Sequence, residues 1–125
     1  MKIGDSAETM RAFKSRDVID YSELSGHAVT DNRVPEPMVG ALFSYLLGVK
    51  LPGNGANYLK QETQFHDYAR VGDTLTARVE ITRIRPDKHL VDLATTCTNS
   101  DGALIATGRA LVSARDVSEE LTPHD

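Results

Sequence analysis

Five residues with polar chemistry to offer fall within one ten-residue stretch: His27, Asp31, Asn32, Arg33 and Glu36. An imidazole and carboxylates close together are what general acid–base catalysis needs, because between them they can take and return a proton near neutral pH. Glu36 is the most informative of the five. It stands just before an apolar segment, where a carboxylate is favoured by the dipole of a starting helix, and the same place suits a general base or a nucleophile. His27 reads equally as a base or as an ordinary loop histidine. Asp31 and Asn32 form a turn signal with Thr30 as well as a polar pair. Arg33 is a solvated cation, a partner for Glu36, or a phosphate contact.

The other candidates carry less chemistry. His66, His89 and His124 are scattered without metal-ligand spacing, so no metal site is expected. The single cysteine, Cys97, excludes an intrachain disulfide and reads as a core residue. Gly53-Asn54-Gly55 is not a phosphate loop, since no helix with Lys-Ser/Thr follows it.

The chain has 125 residues, enough for one domain, with 40% hydrophobic and 26% charged residues. We expect that domain over 1–115 and a polar, flexible tail over 116–125. With a net charge of −4 and no basic run, a broad nucleic-acid footprint is not expected. No apolar run reaches transmembrane length, and Met1-Lys2-Ile3-Gly4-Asp5 lacks a signal-peptide core, so the expected location is the cytoplasm.

A strand over 8–13 is followed by a short helix with Ser15 as its N-cap and Gly26 at its end. Pro37 suits the first turn of a second helix over 38–48, in which Met38, Val39, Ala41, Leu42, Phe43, Tyr45, Leu46 and Leu47 leave no polar face. Such a helix is expected to be buried on all sides. Residues 57–66 read as a strand. Leu75, Ala77, Val79 and Ile81 alternate with polar residues until the pattern slips at Arg83, which predicts a bulge. Val91, Leu93, Thr95 and Cys97 share a face of the next strand, and Asn99-Ser100-Asp101-Gly102 predicts a hairpin. The last strand puts Leu104, Ala106, Gly108, Ala110 and Val112 on one face, where small residues leave room for the apolar helix to approach. One buried helix followed by an antiparallel meander is an α+β arrangement, of which the hotdog is the best-known form.

Several segments resemble the MaoC-like (R)-specific enoyl-CoA hydratases. They are Gly4-Asp5, Phe13, Asp17-Val18, Leu24-Ser25-Gly26, Ala41-Leu42-Phe43-Ser44-Tyr45-Leu46-Leu47-Gly48, Leu51-Pro52-Gly53-Asn54-Gly55, Tyr58-Leu59-Lys60-Gln61, Phe65, Val71-Gly72-Asp73-Thr74-Leu75-Thr76-Ala77 and the stretch from Asn99 to Gly108. Their order and spacing carry the likeness over most of the chain. The resemblance implies a hotdog homodimer that adds water across a trans-2-enoyl thioester with an Asp and a His as acid and base and without a cofactor. It also implies helix N-terminal N–H groups that polarise the thioester carbonyl. On this reading Met38, Val39 and Gly40, with Asn32 and Arg33, contact the substrate.

The catalytic loop departs from the family. Ser25-Gly26 leads into His27 where the family has Asp, no Asn-Pro follows, and Pro35-Glu36-Pro37 stands where a His-Gly pair opens the helix. Asp31 and Glu36 keep the separation of the family's Asp and His. Three readings stay open: a hydratase or dehydratase rebuilt around His27, Asp31 and Glu36; a thioesterase using Glu36 or Asp31; and a non-catalytic acyl-CoA-binding subunit, including one that pairs with a catalytic paralogue as a heterodimer.

Overall fold

The computed structural model describes residues 1–25, 32–53 and 56–114. His27, Asp31 and the 116–125 tail lie outside the described residues. The elements run β1 (Ser6–Ala12), α1 (Ser15–Ser25), α2 (Glu36–Tyr45), β2 (Asn57–Phe65), β3 (Thr74–Arg85), β4 (Leu90–Thr98) and β5 (Leu104–Ser113). All neighbouring strands are antiparallel, in the order β1-β3-β4-β5-β2, which leaves β1 and β2 at the edges. A five-stranded sheet with one central helix packed on it is the hotdog expected from the sequence.

Two short devices start the helices. At α1 the Asp17 carboxylate accepts from the Lys14 N–H at 2.8 Å, while Val18 N–H donates to the Lys14 carbonyl. Lys14 therefore caps this helix and Ser15 is already inside it, contrary to the sequence expectation. At α2 the cap is Pro35, so the helix begins at Glu36, two residues earlier than expected, with Pro37 in its first turn. Proline fits there because its missing N–H would find no helical acceptor. Past Tyr45 the chain continues into one wide turn over Leu46–Lys50 rather than stopping at Gly48.

Val39, Leu42, Phe43, Leu46 and Leu47 repeat at intervals of three and four and turn one helix face into the sheet. There they meet Leu75, Ala77, Val79 and Ile81 of β3, Val91 and Leu93 of β4, and Ala110 and Val112 of β5. Cys97 joins this core, and burial pushes its thiol up to about 11. The helix is not covered all round, however. Glu36, Pro37 and Ala41 are exposed, as are Tyr45 at 46% and Val49 at 58%. The apolar composition of this outward face marks a surface that the single chain leaves open.

Three bulges keep the inward faces in phase. The expected slip in β3 falls at Thr82, so Ile81 and Ile84 both turn inward. A second, at Ile105, buries both Ile105 and Ala106 and leaves Leu104 41% exposed, which corrects the expected face of the last strand. The third, at Leu59 in β2, lets Tyr58 and Gln61 share a face. The hairpin after β4 forms as predicted: the Asn99 side-chain carbonyl accepts from Asp101 and Ala103 N–H, and Gly102 takes a φ of 81°. At Gly108 the expectation changes partner. A Cβ there would lie 2.0 Å from the Glu62 carbonyl oxygen, so the element that presses on this glycine is the β2 backbone, not the helix.

Candidate functional site

The outward face of α2 and the inner face of β2 enclose an open groove of about 610 Å³. Glu36, Gly40 and Ser44 line it at helical spacing of four, with Pro37 and Ala41 beside them. Gln61, Thr63 and Phe65 line the opposite wall at the strand spacing of two. Tyr58 closes the far end by donating its hydroxyl hydrogen to the Ser44 carbonyl, which ties β2 to the helix. The walls are thus small and apolar along the helix, polar along the strand, and acidic where the helix begins. On the reverse side of β2, Glu62 pairs with Lys60 at 3.0 Å and with Arg109 at 3.5 Å. The Lys60 hydrogen bond and charge, then the Arg109 charge, hold its carboxyl below the usual range.

Of the residues singled out from the sequence, Glu36 and Gly40 lie in this groove. Val39 does not: it is 1% exposed, its side chain is in the core, and its N–H donates to the Pro35 carbonyl at 3.4 Å. Met38 also donates its N–H to Pro35, at 3.0 Å, and its side chain turns to a second groove of about 390 Å³ on the β1 side of the helix. Because Pro37 has no N–H, the Glu36 N–H is the first-turn donor without a partner among the described residues. Asn32 and Arg33 precede the helix on a short strand-like segment, where Asn32 accepts from Val71 N–H at 2.8 Å and Arg33 pairs with Arg70. His27 and Asp31 lie outside the described residues, so their distances to Glu36 do not enter the geometry.

Ser44, Gln61 and Thr63 are groove residues that the sequence reading did not select. Gln61 reads as sheet surface from pattern alone. The signal that finds it is the coincidence of polar residues at alternate β2 positions with small residues at every fourth position of the helix. Among the described residues, no cluster of three or more His, Cys, Asp or Glu could hold a metal ion. No helix among them is long and apolar enough to cross a membrane.

Comparison with known proteins places this geometry. Residues 30–108 match the FAS1-like, dehydratase domain region family. An (R)-specific enoyl-CoA hydratase of Rhodospirillum rubrum is 34% identical over 126 aligned positions, covering 90% of this chain and 87% of the relative. The chain belongs to the MaoC-like hydratase/dehydratase family. A second member, the (R)-specific enoyl-CoA hydratase of Aeromonas caviae, is 45% identical over 75 residues, which span 60% of this chain and 56% of that protein. The solved structure of the (R)-hydratase from A. caviae superposes with a TM-score of 0.83 and 33% identity, over 90% of this chain and 96% of the other. For a MaoC-like chain, the scaffold is therefore preserved over nine-tenths of its length.

Proposed function

We propose that this protein interconverts a trans-2-enoyl thioester and the corresponding (R)-3-hydroxyacyl thioester, with Glu36 as an acid/base group in the α2–β2 groove. What carries the reading is the carboxylate at the start of α2, beside an N–H without a partner among the described residues and opposite the polar wall of Gln61 and Thr63, in a chain of this family. In hydration a base takes a proton from water as the water oxygen bonds to C3. The π electrons move onto the thioester oxygen, and the enolate collapses as a proton reaches C2. The Glu36 N–H is the donor available for that oxygen. His27 or Asp31 supplies the second acid/base group, Asn32, Arg33 and Gly40 contact the substrate, and Met38 and Val39 hold the first turn in place. The reaction balances with water alone and calls for no cofactor.

We further take the working unit to be a homodimer, because β2 is an exposed edge strand and the outward face of α2 is apolar. A second copy covers both. The decisive assay follows the enoyl absorbance of crotonyl-CoA with wild-type protein and Glu36→Gln. A fall in kcat of about a hundredfold or more is expected, and unchanged turnover overturns the assignment of Glu36. Thiol release from saturated acyl-CoA, lost in Glu36→Gln, would make the protein a thioesterase. CoA binding without turnover would make it a non-catalytic subunit, and co-purification with a catalytic paralogue would make the dimer a heterodimer.

A further inference from the structure

The segment before α2 and the segment after β2 run side by side, with Arg33 directly opposite Arg70. Val34 N–H donates to the Ala69 carbonyl and Val71 N–H to the Asn32 carbonyl, each at 2.8 Å. These bonds flank the pair rather than join it, so Arg33 and Arg70 occupy a non-hydrogen-bonded site, where cross-strand side chains come closest. Like charges at such a site repel. Both arginines are exposed, and among the described residues neither forms an ion pair with a carboxylate.

The Arg33 guanidinium lies over the Tyr68 ring, its Cζ 3.5 Å from the ring centroid. Stacking fixes the plane of the guanidinium and leaves its edge N–H donors free, the arrangement that suits bidentate contact with an oxyanion. The pair also sits at a defined place relative to the groove. Arg33 is three residues before Glu36 and Tyr68 is three after Phe65, and both of those partners line the groove. Three residues of extended chain reach at most about 10 Å, so the arginines stand just outside the end of the groove where α2 begins.

We propose that Arg33 and Arg70, with Tyr68 orienting Arg33, form an anion site for a phosphate group on the carrier arm of the thioester. The pairing of two cations with no acid among the described residues is relieved when a phosphate oxygen bridges them, and a phosphate there stands beside the end of the groove that holds Glu36. The identity of the ligand as a thioester carrier rests on the hydratase reading; the anion site itself rests on the arginine pairing.

Calorimetry with the intact protein tests this, using CoA, 4′-phosphopantetheine and phosphate-free pantetheine against wild type, Arg33→Ala/Arg70→Ala and Arg33→Lys/Arg70→Lys. The alanine pair is expected to lose about tenfold or more in CoA affinity while pantetheine binding stays level. The lysine pair is expected to recover part of the loss, since it restores charge without the planar fork. An arginine-dependent gain for phosphopantetheine as well as CoA assigns the phosphate at the base of the arm, which a carrier protein also has. A gain for CoA alone assigns the nucleotide phosphates. Unchanged CoA affinity in the alanine pair, an equal loss for pantetheine, or no preference of wild type for CoA over pantetheine overturns the site. The hydratase reading fails separately: arginine-dependent CoA binding without turnover sinks that reading and leaves the anion site standing.

Discussion

β4 and β2 are both nine residues long and both pair with β5, yet they meet different surroundings. Every second residue of β4, from Val91 to Cys97, is buried beneath the central helix. β2 has no fully buried residue, and its inward positions carry Gln61 and Thr63 instead of Leu and Val. The helix divides in the same way, with Phe43 and Leu47 turned to the sheet and Gly40, Ala41 and Ser44 turned to the groove. In this fold the half that is packed defines stability, while the half that is open and polar is where a ligand and a second copy can be received. Strand length and partner do not distinguish the two halves; the residues at inward positions do.

The sharpest way to break the comparison is Phe43→Ala on the packed side. Phe43 is fully buried, so its loss is expected to cost about 3–5 kcal/mol, measured as a lowered denaturation midpoint. A cost below about 1 kcal/mol would mean the helix does not depend on the sheet for its place. Gly108→Ala tests the seam between the halves. Its new Cβ collides with the β2 backbone, and the expected cost is about 1–3 kcal/mol, with amide exchange rising first in β2. Exchange that rises uniformly in β3 and β4 would contradict a local seam. The smallest effect belongs to Tyr58→Phe, which removes one hydrogen bond from the open side. We expect about 1 kcal/mol or less, with faster exchange confined to the Tyr58 end of β2.

Much of the packed half was legible from sequence. Strict alternation in 75–81 and 91–97 identified β3 and β4, the slip at Arg83 announced a bulge, and Asn99 to Gly102 announced a turn, because each signal is local. The open half was less so. Two prolines around Glu36 obscured where α2 begins, and an apolar helix suggested burial on every side when its outward face is exposed in the single chain. Gly108 was recognised as a site of close approach, but its neighbour comes from β2, far away in sequence. The Arg33–Arg70 pairing is equally non-local, and nothing in either residue's neighbourhood announces the other. For His27 and Asp31, the sequence supplies residue types and spacing, and the geometry that would join them to Glu36 lies outside the described residues.

The three bulges also bear on how the chain tolerates changes in length. Each adds one residue to one strand while its partner continues unchanged, at Leu59, Thr82 and Ile105. Deleting the extra residue itself, Thr82 or Leu59, would leave Ile81 with Ile84 and Tyr58 with Gln61 on one face, whereas deleting a paired residue would reverse the strand beyond it, since a slip of one residue exchanges the faces. A residue added at the tip of the 99–103 turn would leave every pairing intact. Length variation compatible with this fold therefore belongs in its turns and at the three bulges, where one residue can be lost without reversing a face.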